Sequence, residues 1–208
     1  MAPDKSRVSK KKELTGRLDT TFRILYAAKE NFEYCQYLYE PLLPEEQAYV
    51  RVDRNLQFIR FTLWQMTIIE LDKLLSKTEP QRFNLFSLIE NLKSTGHFRS
   101  FKVPDYLIEL WEGSLLSHGD TISSINFLRN KIYAHTDNLK ENFQSMTVAL
   151  LSIRSLIQDL EHLVTFISES TVKIKYLFLE SYFVRNDFDI LKILANDHFK
   201  KINDPSGF

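Results

Sequence analysis

Residues 61–77 read FTLWQMTIIELDKLLSK, and this stretch decides the fold class of the chain. In it and just before it, apolar side chains recur at steps of three and four, the spacing of one face of an α-helix. That face consists of Leu56, Ile59, Leu63, Met66, Leu71 and Leu74. Arg60, Glu70 and Asp72 interrupt the run, so it lacks the continuous apolar length of a membrane span. The stretch predicts a long helix with one buried face.

Helical spacing continues through most of the chain and predicts further helices around this one. They cover residues 18–41, 84–92, 104–135 and 145–168, and the long helix itself starts at Pro44. Gly113 and Gly119 allow a bend or a break in the helix of residues 104–135. Residues 170–208 are interpreted as helical too, because a lone strand would have no partner. The chain is therefore predicted to be an all-α helical bundle.

Composition divides the chain into three segments. Residues 1–17 carry six Lys or Arg side chains against two acidic ones and almost no apolar side chains, which predicts a flexible basic arm. Such an arm is either a solvated tail or a contact for RNA. Residues 18–168 form the predicted bundle, and residues 169–208 form a C-terminal extension that is also predicted to be helical.

Several classes of protein are excluded by composition. The 27 Lys and Arg residues balance 27 Asp and Glu residues, so no overall field favours nucleic acid or a membrane surface. The five glycines form no GxxxxGK or GxGxxG loop, which excludes nucleotide-dependent kinases and Rossmann dehydrogenases. The five histidines show no HExxH spacing of a zinc site. Neither a cofactor nor a metal site is predicted. Cys35 is the only cysteine, and no apolar leader is present near the start, which favours a cytoplasmic protein.

The stretch that carries chemistry is LRNKIYAHTD, at the end of the helix predicted over residues 104–135. Arg129 and His135 are six residues apart, about 120° around an ideal helix and roughly 9 Å along it. An apolar stripe separates them, with its centre at Ile125, Leu128 and Ile132. If that stripe packs against another helix or a second subunit, the cation and the imidazole face one cleft from its two edges.

Such a cleft suits cleavage of an RNA phosphodiester without a metal ion. A neutral imidazole can accept the proton of a ribose 2′-hydroxyl, because its ordinary pKa of roughly 6.5 lies near neutral pH. Arg129 can hold the phosphate oxygens as negative charge develops, and Asn130 can orient the phosphate or His135. One histidine does not supply both a base and an acid, so a symmetric dimer completes the predicted site.

The same residues have a simpler interpretation. Arg129 is then an ion contact at a helix end, and His135 is a hydrogen-bonded histidine at the border of a packed helix. An asparagine near a helix end, such as Asn130, is commonly structural. Lys131 is a solvated residue in this interpretation and a substrate-binding contact for RNA in the first.

Taken together, three stretches resemble HEPN-domain proteins (higher eukaryotes and prokaryotes nucleotide-binding), and among them the AbiU-like branch associated with abortive phage infection. The stretches are FTLWQMTIIELDKLLSK at 61–77, LFSLIENLK at 85–93 and LRNKIYAHTD at 128–137, and the resemblance covers roughly residues 18–168. It implies a HEPN-like antiparallel bundle, usually dimeric, in which Arg129, Asn130 and His135 form a metal-independent endoribonuclease site at the dimer cleft. Many members act as toxins or antiphage effectors, and some are controlled by a partner antitoxin.

Two hypotheses of different classes follow. In the first, the chain is a HEPN endoribonuclease with His135 as general base or acid, Arg129 as phosphate stabiliser and Asn130 as positioning residue. In the second, the bundle is a non-catalytic module that binds RNA or a protein partner, or a purely structural adaptor. Cleavage of RNA that depends on His135 distinguishes the first from the second.

Overall fold

A computed structural model describes residues 5–41, 43–76, 83–134, 143–179 and 190–203 of the chain. Within these ranges it contains eight α-helices, a short 3₁₀ turn at Arg99–Phe101 and no strand. The helices are α1 (Lys5–Tyr39), α2 (Pro44–Val52), α3 (Arg54–Leu75), α4 (Leu85–Leu92), α5 (Asp105–Leu116), α6 (Gly119–Ala134), α7 (Phe143–Thr171) and α8 (Ile190–Asn203). The prediction of an all-α helical bundle is confirmed for this part of the chain.

α1 begins earlier than the sequence predicted. The helix starts at Lys5, so the expectation of a flexible arm over residues 1–17 is wrong for residues 5–17. Leu14 is fully buried, and it lies one turn before Leu18 on the same buried face. Lys11 and Lys12 occupy the exposed side of this turn. Lys11 and Lys12 therefore lie on the solvated face of a packed helix rather than in a tail, and Arg17 donates to Asn84 O at 3.2 Å.

The long helix predicted from Pro44 is divided at Asp53. Pro44 stands in the first turn of α2 as predicted. Asp53 has an extended backbone, and its Oδ1 accepts hydrogen bonds from the backbone N–H groups of Asn55 (2.8 Å) and Leu56 (3.0 Å). An aspartate that accepts from the first free N–H groups stabilises a helix start. The chain therefore begins a new helix, α3, at Arg54.

The predicted start of α4 is confirmed. Asn84 precedes the helix, and its side chain accepts a hydrogen bond from the backbone N–H of Ser87 at 3.0 Å. The helix predicted over residues 104–135 ends at Leu116 and resumes at Gly119, so the break falls at the second of the two glycines. Gly113 lies inside α5. This break gives α6, the helix with the candidate residues, a start of its own.

The segment after α7 departs from the helical interpretation of residues 170–208. Lys173 has a left-handed backbone (φ 64°), and its N–H donates to Ser168 O at 3.0 Å, which ends the helix. Residues 173–179 have neither helix nor strand. Their side chains alternate between exposed and partly buried positions. The ring centroids of Tyr176 and Phe178 lie 4.7 and 4.8 Å from the ring centroid of Phe22 in α1. The segment is held by side chains rather than by a neighbouring strand. Helical structure returns in α8.

The chain forms two compact units that do not follow the predicted boundaries. Unit 1 consists of Met1–Lys29 and Ile68–Phe178, and unit 2 of Glu30–Thr67 and Leu179–Phe208. In unit 1, α5 packs against α4 and α7, and α6 packs against α7. In unit 2, α2 packs against α8, and Leu38, Val50 and Leu191 form a buried cluster. The candidate residues of α6 belong to unit 1.

Candidate functional site

α6 is positioned by its start and by its buried side chains. In the turn before it, His118 Nε2 lies 2.6 Å from Asp159 Oδ2 of α7. Ile122 and Ile125 are buried in the core of unit 1. Asn126 and Arg129 follow Ile122 at steps of four and seven residues, so they lie one and two turns further along the same side of the helix.

Arg129 forms an ion pair with Asp72 of α3. Its Nε lies 3.4 Å from Asp72 Oδ2, and its Nη1 donates to the Oδ1 of Asn130 at 3.2 Å. The Asp72 side chain is 6% exposed, whereas that of Arg129 is 43% exposed. Burial raises the pKa of Asp72 above its ordinary value, and the nearby guanidinium opposes this shift. The pair thus has a buried carboxylate and a cation that reaches the surface.

A cavity of about 390 Å³ opens beside this ion pair. That volume lies in the range of roughly 300–1,000 Å³ found for small-molecule sites. Its apolar wall comes from α4, α5 and α6 and includes Phe86, Leu115 and Ile122. Its polar wall includes Asp72, Ser76, Ser123, Asn126, Arg129 and Asn130. The cavity therefore combines flat or branched apolar side chains with amide, hydroxyl and charged groups.

Asn126 has an acceptor without a partner. Its Oδ1 is buried and receives no hydrogen bond from any residue that the structure describes. A buried acceptor left unpaired costs about 1–3 kcal/mol. Natural proteins rarely keep such an atom unless water or a ligand satisfies it. Buried atoms of this kind also occur at Thr21, Ser100 and Trp111, but among these residues only Asn126 lines the cavity, where its Oδ1 can accept a hydrogen bond from a bound molecule.

The structure brings part of the predicted site together. Arg129 and Asn130 are in contact and line the cavity. Lys131 belongs to α6, but its side chain is outside the described part of the chain. His135 also lies outside the described residues, so its distance from Arg129 stays a prediction. The ion pair with Asp72 is what the simpler interpretation of Arg129 expects, whereas the cavity beside it is what a binding site requires.

Asp72 and Asn126 are cavity residues that sequence reasoning missed. Asp72 was noted only as a polar interruption of an apolar run, although an aspartate on a buried helix face needs a cationic partner. Asn126 precedes Arg129 by three residues and Asn130 by four, which places all three side by side on a helix. A search for polar residues at these spacings around Arg129 would have found Asn126.

The described residues also limit other kinds of site. They contain no group of three or more His, Cys, Asp or Glu side chains arranged to hold a metal ion. None of the helices in these ranges is both long enough and apolar enough to cross a membrane. Cys35 is fully buried, its Sγ donates to Arg60 O at 3.4 Å, and burial raises the pKa of its thiol to about 12. This thiol is unsuited to act as a nucleophile at neutral pH.

Comparisons with protein-family models, with curated proteins and with solved structures found no match to the chain.

Proposed function

We propose that the chain is a metal-independent endoribonuclease of the HEPN type, which acts as a toxin or an antiphage effector in abortive infection. In this proposal the protein is cytoplasmic, and two copies of the chain form a cleft at their interface. There His135 acts as general base or acid in attack by the ribose 2′-hydroxyl, Arg129 stabilises the phosphate and Asn130 positions it. Lys131 contributes to RNA binding, and a cognate antitoxin or other regulatory protein restrains the activity.

One observation carries the proposal: Arg129 forms an ion pair with Asp72 at a cavity of ligand size, beside Asn130. Asp72 anchors the Nε edge of the guanidinium, which reduces the freedom that the side chain would lose on binding phosphate. A positioned cation at a site of developing negative charge is a main source of catalysis in phosphoryl chemistry. The motif places His135 six residues further along the chain.

The alternative, a non-catalytic module that binds RNA or a protein partner, is favoured by the same ion pair. A carboxylate beside Arg129 lowers the positive potential available to an RNA phosphate. A helix-end arginine that serves only as an ion contact would have this geometry. The two functions differ in turnover, since only the enzyme converts RNA.

The deciding experiment is cleavage of total RNA by the purified protein in excess EDTA, with analysis of the product ends. We expect the wild type to leave 2′,3′-cyclic phosphate ends. His135→Ala should lower the rate by about 10²–10⁴-fold, the usual contribution of a general acid or base. Arg129→Ala should lower it by a comparable factor, because an electrostatic stabiliser is lost.

His162→Ala, at an exposed position of α7, is the matched control for removal of a histidine and should cleave like the wild type. Each variant also has to match the wild type in folding and in oligomeric state. Equal cleavage by the wild type and His135→Ala would contradict the catalytic assignment. RNA binding without turnover by any of the proteins would favour the binding module.

A further inference from the structure

The polar groups in the cavity wall differ in how deeply they are buried. Two of its buried groups are hydrogen-bond acceptors, the Asn126 Oδ1 without a partner and the carboxylate of Asp72, and the buried hydroxyl of Ser76 lies in the same wall. Arg129, the cation of the cavity wall, reaches the surface. A complementary ligand presents N–H donors to the interior and a negative charge to the outside. A nucleotide has this polarity, because its base carries donors and its phosphate is anionic.

We propose that the cavity binds the guanine base of an RNA nucleotide, with the 3′-phosphate of that nucleotide at Arg129. The inference rests on the proposed function for the identity of this phosphate as the one that is cleaved. Beyond the proposed function, the inference assigns guanine as the base of the nucleotide on the 5′ side of the cleaved bond. It therefore predicts cleavage after guanosine.

Guanine is favoured by the number of its donors. Its Watson–Crick edge offers two neighbouring donors, N1–H and the 2-amino group, which suit two acceptors. Adenine and cytosine offer one amino group beside a ring acceptor, and uracil offers one N–H between two carbonyl oxygens. Asp72 and Asn126 together supply two acceptors, and the carboxylate keeps lone pairs beyond the one directed at Arg129. Any other base would leave an acceptor unpaired or face it with another acceptor.

The rest of the cavity suits a flat ring. Phe86, Leu115 and Ile122 provide apolar contacts for the faces of the base. The volume of about 390 Å³ accommodates one nucleoside. Asn130 contacts Arg129 and lines the same cavity, so its amide is placed to contact the sugar or the phosphate.

Binding of guanosine 3′-monophosphate tests the inference without relying on catalysis. The nucleotide is titrated into the full-length wild type in EDTA, and its affinity is compared with those of the 3′-monophosphates of inosine, adenosine, cytidine and uridine. We expect guanosine 3′-monophosphate to bind about tenfold more tightly than the inosine nucleotide, which lacks only the 2-amino group. The adenosine, cytidine and uridine nucleotides should bind more weakly still.

Asn126→Leu keeps the branched shape and the number of side-chain heavy atoms and removes the acceptor. It should lower the affinity for guanosine 3′-monophosphate about tenfold and leave that for the uridine nucleotide unchanged. Asn196→Leu, on the exposed side of α8, is the matched control and should change neither.

Equal affinities for all the nucleotides, or no binding of any, would overturn the inference even if Asn126→Leu did not fold. The cleavage assay separates this failure from that of the proposed function. Cleavage without preference for guanosine removes the base site and keeps the ribonuclease. Selective binding of guanosine 3′-monophosphate without cleavage keeps the base site and removes the ribonuclease.

Discussion

Asp72 and Arg129 form an ion pair. The guanidinium affects the protonation of Asp72, and the carboxylate affects the position of Arg129. Burial raises the pKa of Asp72 from its ordinary value of 3.8, so the folded state disfavours its ionised form. As the pH rises above 3.8, the unfolded chain loses this proton first, and the folded state loses relative stability until Asp72 is fully ionised. The guanidinium of Arg129 limits that loss.

Asp72→Asn tests this balance. We expect the free energy of unfolding of the wild type to fall relative to that of Asp72→Asn as the pH rises above 3.8, because only the wild type ionises at this position. Urea denaturation of both proteins over the acid range measures the difference. Arg129→Leu should enlarge the loss in the presence of Asp72, since the opposing charge is gone. A difference between wild type and Asp72→Asn that does not change with pH would contradict the assignment.

At the scale of the element, the break between α2 and α3 depends on one side chain. Asp53 accepts from two backbone N–H groups at the start of α3 and from the hydroxyl of Tyr49 at 3.1 Å. These hydrogen bonds hold the pKa of Asp53 below its ordinary value, with the bond from Leu56 N–H as the largest cause. The stabilisation is therefore present above pH 3.8 and is lost as the pH falls through the lowered pKa.

Asp53→Ala removes this cap and should lower the free energy of unfolding by about 1 kcal/mol at neutral pH. Asp53→Asn keeps an acceptor at the same place and should retain most of the stability. Urea denaturation gives both values, and circular dichroism reports any loss of helix. If Asp53→Ala were as stable as the wild type, the break would have another cause.

The helices show which features local sequence determines. Asn84 and Pro44 mark helix starts as predicted, because capping and first-turn preferences act within a few residues. Asp53 is also a capping residue, at the start of α3. The break there was not predicted, because apolar residues at helical spacing continue beyond Asp53. Residues 173–179 were misjudged because their contacts with Phe22 come from a helix distant in sequence.

In the candidate site too, contacts between neighbours in sequence were predictable, and contacts between different helices were not. Arg129 and Asn130 belong to one short motif, and their contact follows from adjacency. The pairing of Arg129 with Asp72 joins two helices, and no local spacing reveals which helices meet. The chemistry of the motif and the resemblance to HEPN proteins predicted roles for Arg129, Asn130 and His135 and none for Asp72 or Asn126.

At the scale of the whole molecule, neither compact unit is continuous in sequence, and this predicts how a fragment behaves. A fragment of residues 18–168, the bundle marked out by the sequence, lacks Leu14, the aromatic contacts of Tyr176 and Phe178, and Leu191 of the unit 2 cluster. We expect it to unfold at a lower urea concentration than a fragment of residues 5–203 and to bind an apolar dye. Equal stability of the two fragments would contradict the two-unit description.

The packing of α8 on α2 also affects the order of events during synthesis. The ribosome completes α2 long before it reaches residue 190, so Leu38 and Val50 emerge without the helix that covers them. Unit 2 therefore completes its core only late in translation. A ribosome that stops after α7 releases a chain with an uncovered apolar surface, which chaperones and proteases recognise, so incomplete copies are prone to removal before they accumulate.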